Sequence, residues 1–220
     1  IFKKKILKDN KKLLSVSKDG NAEEVARLLS TGMVDVDFGQ KDPPYEEDWP
    51  CGRTPLHMAA LSNKISFSGA ACSGEKQIVE LIIENVTDKN PANFFGITPL
   101  HNAALAGKFD IFQFLFENAK NKNPIDHDGD TPLHKAAYGG GKFKHCQYWM
   151  RTCHHHKICQ LILDNVENKT TENFDGKTPL QMATESNHSL VLDVLAPKDV
   201  KKTKANLNQR TCKSKRFKGK

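Results

Sequence analysis

Apolar residues occur along the chain in short bursts at helical spacing. Ile78-Val79-Glu80-Leu81-Ile82-Ile83, Ile111-Phe112-Gln113-Phe114-Leu115-Phe116, Ile158-Cys159-Gln160-Leu161-Ile162-Leu163 and Leu190-Val191-Leu192-Asp193-Val194-Leu195 put apolar side chains at i, i+3 and i+4. That is the stripe of a helix sunk along one side into a core. A shorter, alanine-rich apolar segment precedes each burst, and Leu13–Leu29 has the same helical pattern. The pattern predicts an all-α chain built from pairs of helices.

The alanine-rich segments are copies of one word. Thr98-Pro99-Leu100-His101-Asn102-Ala103-Ala104 recurs 33 positions later as Thr131-Pro132-Leu133-His134-Lys135-Ala136-Ala137. Thr54-Pro55-Leu56-His57-Met58-Ala59-Ala60 stands 44 positions upstream of the first, and a weakened Thr178-Pro179-Leu180-Gln181-Met182-Ala183 stands 47 downstream of the second. Each letter has a physical task. Thr caps a helix N-terminus, where its hydroxyl meets backbone donors without partners. Pro takes the first helical position, where a missing N–H costs nothing. Leu points inward, and the Ala pair lets neighbouring helices approach closely. Gly20, Gly107 and Gly140 stand where the first helix is expected to stop, a place favouring left-handed backbone. Gly96, Gly129 and Gly176, two residues before each Thr, suit a tight turn.

A multi-residue word in register at a 33-residue period resembles the ankyrin-repeat family over roughly residues 11–197. The resemblance implies an ankyrin-repeat solenoid: helix-turn-helix repeats with projecting β-hairpin or turn fingers. About five repeats are expected, near 11–53, 54–97, 98–130, 131–177 and 178–197, with the outer two as caps. The 44- and 47-residue spacings carry 11 and 14 extra residues, placed near 65–75 and 142–155, between the two helices of a repeat. Both are expected to be loops, which lengthen at little entropic cost; removing either restores the 33-residue period, so retained intron sequence is an alternative. The acidic-aromatic stretch around Tyr45 and Trp49 stands where a short hairpin would be.

The family implies a partner protein held by the residues just before each Thr and by the ends of the first helices. Those positions are Phe94, Phe95 and Ile97; His127, Asp128 and Asp130; Phe174, Asp175 and Lys177; and Leu105, Tyr138 and Glu185. Phe94, Phe95 and Ile97 are apolar where a solvated turn would be polar, which marks them as anchors. Asn90 and Asn123 fall where members of this family are sometimes hydroxylated on asparagine.

Charge divides the chain. The segment 198–220 carries ten Lys/Arg against Asp199, a net +9, and the first twelve residues carry six Lys against Asp9, a net +5. With a total of +7, the body between them is left at −7. Nucleic-acid contact is therefore expected only from the basic tail. Within it, Lys201-Lys202, then Lys213, Lys215 and Arg216 resemble a bipartite nuclear-localisation signal, which points to a cytoplasmic or nuclear location. The basic arm 1–10 reads as the end of an upstream helix or a helix on a membrane surface.

The sequence carries no catalytic constellation: no phosphate-cradling glycine loop after a strand, no nucleophile elbow, no His-Glu-x-x-His. No cofactor and no enzyme activity are expected. His57, His101 and His134 recur with the repeat and so belong to its hydrogen-bond network. His145-Cys146 and Cys153-His154-His155-His156 concentrate zinc-type ligands, but without a Cys-x-x-Cys pair they are read as loop, not metal site. Six cysteines, Cys51, Cys72, Cys146, Cys153, Cys159 and Cys212, are too few for a disulfide scaffold and read as mainly reduced thiols. A monomeric protein-binding adaptor is the expectation. Its alternatives are a regulatory ankyrin module of a larger enzyme or channel and a nuclear protein using its tail on nucleic acid.

Overall fold

The computed structural model describes residues 2–37, 53–61, 69–142, 154–168 and 171–196. Among them are ten α-helices in five pairs and no strand. The pairs are α1 (Phe2–Asp19) with α2 (Ala22–Ser30), α3 (Pro55–Leu61) with α4 (Gly69–Ile83), α5 (Pro99–Ala106) with α6 (Phe109–Asn118), α7 (Pro132–Lys142) with α8 (His155–Asn165), and α9 (Pro179–Glu185) with α10 (Ser189–Leu195). First helices pack on first helices along the chain, second on second, and the two members of each pair on each other. This is the two-layered stack that a repeating helix pair produces.

The word in the sequence explains the stacking. Pro opens α3, α5, α7 and α9. Ala59, Ala60, Ala103, Ala104, Ala136 and Ala137 are at most 1% exposed, so the first helices meet almost backbone to backbone. Ile78, Ile82, Phe112, Leu115, Ile158 and Ile162 of the second helices fill the seam behind them, in one continuous core. Burying each such side chain contributes about 2 kcal/mol.

Helix ends follow the glycines only in part. Gly20 and Gly107 stop α1 and α5 with φ of +76° and +69°, and Asn187 does the same after α9 at +54°, asparagine being one of the few residues that tolerate this conformation. Gly140 does not stop α7, which continues to Lys142. α8 begins only at His155, so the chain has no need to turn at once. α4 reaches back to Gly69, so the second half of the first insertion is helix where a loop was expected. Most of the second, 143–153, lies outside the described residues. The basic arm 2–10 is helical and runs unbroken into the first repeat as α1; Asn10 is buried there, its Oδ1 accepting the Asp35 N–H at 2.9 Å. In α10 the buried edge begins at Val191, and Leu190 is exposed. Among the described residues no helix is long and apolar enough to cross a membrane.

Candidate partner-binding surface

Among the described residues three turns project between consecutive pairs, and an Asn or Asp five residues before each Thr builds them. The side-chain Oδ1 of Asn93 accepts the N–H groups of Phe95 and Ile97, that of Asp126 those of Asp128 and Asp130, and that of Asn173 those of Asp175 and Lys177, all at 2.9–3.1 Å. Each builder's own N–H closes the loop on the carbonyl four residues on, at 2.9–3.0 Å. Gly96, Gly129 and Gly176 turn the chain with φ of +72°, +77° and +71°. Backbone donors that would otherwise face solvent are thus tied to one side chain, which makes the turns stiff.

The turns are then bound to the stack and to one another. The imidazole after each Thr-Pro-Leu has two ring nitrogens and uses both. Nδ1 accepts the Thr N–H at 3.1 Å in His57, His101 and His134. Nε2 lies 2.9–3.1 Å from the carbonyls of Ile97, Asp130 and Lys177 in the next turn along the chain. An Nδ1 that accepts leaves the proton on Nε2, so each ring is neutral and donates across the repeat boundary. Burial pushes His57 down to about 4, and pushes His101 and His134 down as well. Between turns, the His127 N–H donates to Phe95 O and the Phe174 N–H to Asp128 O, both at 2.9 Å. The ring of His127 lies over Gly96 and that of Phe174 over Gly129, where a Cβ would come within 3.0 Å and 2.9 Å of ring atoms.

A charged knot sits beneath the middle turn. Lys135 Nζ reaches Asp126 Oδ2 at 2.7 Å and Asp130 Oδ2 at 2.8 Å, and Asn173 Nδ2 donates to Asp130 Oδ1 at 2.8 Å. Burial disfavours charge on Lys135, yet the two carboxylates hold its ammonium above the ordinary lysine range. Asp130, expected on the binding surface, is therefore buried and committed to structure. A polar residue at that position reads as exposed, and only the nonlocal partners Lys135 and Asn173 draw it in.

The other expected contact residues separate into two groups. Phe94, Phe95, His127, Asp128, Phe174 and Asp175 are exposed and crown the turns. Ile97, Leu105, Tyr138 and Lys177 are half-buried; Lys177 holds the exposed Glu185 at 2.7 Å. Ile125 is exposed on the middle turn, an apolar residue that the motif positions do not mark. Tyr45, Trp49 and the tail residues Lys201, Lys202, Lys213, Lys215 and Arg216 lie outside the described residues.

His155, read from the sequence as part of a loop, proves to be a structural residue at the start of α8. Its Nε2 is 3.0 Å from Leu105 O, and its ring fills the space over Gly107 and Gly139. A Cβ on Gly139 would collide with Leu105 O and that ring, so this glycine serves space, not a turn. Burial pushes His155 down to about 4. Cys159 is free and buried, its thiol pushed up to about 12 by burial, which makes it inert.

A family model described as ankyrin repeats, in three copies, matches residues 67–150. No curated protein matches the chain. The matched span takes in the two copies of the word spaced 33 residues apart; paired helices continue on both sides of it, His57 and Lys177 outside it bond to residues within it, and one more glycine turn, at Gly176, follows it. Residues 67–150 are thus ankyrin repeats, set in an all-helical stack of the same architecture, and such repeats generally mediate protein–protein contacts.

Proposed function

We propose that this chain is a non-catalytic adaptor that holds a partner protein across its turn tips and the first-helix face beside them. One observation carries this reading: Phe94, Phe95 and Phe174 stand 44%, 52% and 75% exposed on turns whose backbone is fixed by hydrogen bonds. Large aromatic side chains on a rigid support bind with little entropy to lose. The test is an affinity pull-down from native extract with the chain and with a Phe94→Ala/Phe95→Ala variant whose helical circular dichroism is unchanged. A protein retained by the parent and lost by the variant supports the adaptor. Identical retention by both, or no specific retention, contradicts the placement of its surface.

The ten Lys/Arg of the tail favour a second element, import into the nucleus. A fluorescent fusion of the whole chain should enter nuclei, and Lys213→Ala/Lys215→Ala/Arg216→Ala should leave it in the cytoplasm. An unchanged distribution contradicts that role.

A further inference from the structure

The tips of the three turns form a continuous row, because the Phe95 carbonyl takes the His127 N–H and the Asp128 carbonyl takes the Phe174 N–H. Six exposed residues crown it: Phe94 and Phe95, then His127 and Asp128, then Phe174 and Asp175. Its chemistry changes along its length. One end is doubly aromatic, and each later tip presents a carboxylate at the position of Phe95. The nearby ammonium groups are already engaged. Lys135 is held by Asp126 and Asp130, Lys177 by Glu185, and Lys122 lies over the Phe116 ring. Asp128 and Asp175 form no salt bridge among the described residues.

We infer that this row binds a cationic segment of a separate protein in polyproline II conformation, with a large apolar residue on Phe94 and Phe95 and Lys or Arg at the third and sixth positions beyond it, facing Asp128 and Asp175. This rests on the turn tips being the binding surface at all. Charge complementarity selects the cations, and the repeat selects the spacing. Stacked helices sit about 8–10 Å apart, and so do the turns they carry. A strand shows every second residue to one face, at about 6.6 Å or 13 Å, which misses that interval. Polyproline II has three residues per turn and rises about 3.1 Å per residue, so every third side chain returns to the same face after about 9.3 Å.

The probe is a random twelve-residue peptide library displayed on phage, selected on the full chain. An enriched peptide is then synthesised and titrated by fluorescence polarisation at low and high salt. The expected winners carry an apolar residue with Lys or Arg three and six positions from it, in either chain direction. Phe94→Ala/Phe95→Ala should weaken the peptide about tenfold or more. Asp128→Asn/Asp175→Asn should weaken it about threefold to tenfold and remove most of its salt dependence. Winners that need Phe94 and Phe95 but lack spaced cations overturn the inference and leave the turn-tip surface standing. Winners indifferent to all four substitutions overturn both. No enrichment overturns the inference alone, since the pull-down tests the surface independently. Winners captured only by a chain lacking residues 198–220 would assign the row to the chain's own basic tail and overturn a separate partner.

Discussion

The middle turn and the last one are nearly identical in backbone and very different in attachment. Both use an Asx side chain to hold two N–H groups, both close on a carbonyl four residues on, and both turn at a glycine of φ +77° or +71°. The first helix after the middle turn carries His134 in its first turn, and that ring reaches forward to Lys177 O. The one after the last turn carries Gln181 at the same place. Gln181 still accepts the Thr178 N–H at 2.8 Å, so the helix cap survives, but among the described residues there is no further turn for it to reach. Beside Gly129 sits the ring of Phe174; a Cβ on Gly176 would meet nothing within 4 Å among the described residues beyond its chain neighbours. Local sequence makes the turn. The next repeat in the stack makes it part of a shared surface.

Acid should separate the two kinds of link most strongly. His57 and His155 titrate at about 4 in the fold, with His101 and His134 also lowered, against 6.5 for free imidazole. The unfolded chain takes up these protons first, so stability is constant above about pH 6.5 and falls as pH drops towards 4. Each pH unit removes about 1.4 kcal/mol per fully shifted histidine. Urea unfolding at pH 7, 5.5 and 4.5 should show a loss of several kcal/mol. His101→Gln, which copies the terminal repeat, should cost about 1 kcal/mol at pH 7 and make the acid loss shallower. An acid slope unchanged in that variant would mean that the ring is not a buried link.

Lys135→Met gives the middle repeat the residue that stands at the same place in the terminal one, Met182. Removing the ammonium strands Asp126 and Asp130, so the expected cost is about 3 kcal/mol, read by the shift in urea midpoint. A neutral result would contradict the knot beneath the middle turn. Smaller again is the difference between two alanines. Gly176→Ala meets only the penalty of positive φ, about 1–2 kcal/mol. Gly129→Ala meets the same penalty and a collision with the Phe174 backbone nitrogen at 2.8 Å, worth about 1–3 kcal/mol more. Equal costs would deny the interlock. Phe174→Ala should change stability least, by about 0.5 kcal/mol or less, because its ring is mostly in solvent.

How legible a residue is in the sequence depends on whether its task is local. The Thr-Pro-Leu-His word, the Ala pairs and Gly96, Gly129 and Gly176 do the same work in each copy, so the period exposes them. The turn builders Asn93, Asp126 and Asn173 are harder to see, because asparagine and aspartate alternate and polar residues are common in any loop. Asp130 misleads for a different reason: its sisters Ile97 and Lys177 are half-buried, and its carboxylate is drawn in by Asn173 of the next turn and by Lys135, a lysine that no other copy has at that place. Gly140 reads as a helix stop and is not one, while its neighbour Gly139 makes room for His155, fifty residues from the Leu105 carbonyl it bonds. Aromatic side chains in a turn could be read as binding anchors from the sequence, whereas the bonds that align three turns into one row could not.

The most direct test of that row is an amide NMR footprint of the full chain with its captured partner or an enriched peptide. The row as built predicts shifts clustered on Phe94, Phe95, His127, Asp128, Phe174 and Asp175, with α2, α4, α6 and α8 unmoved. Shifts concentrated on those second helices, with the turn tips silent, would contradict it.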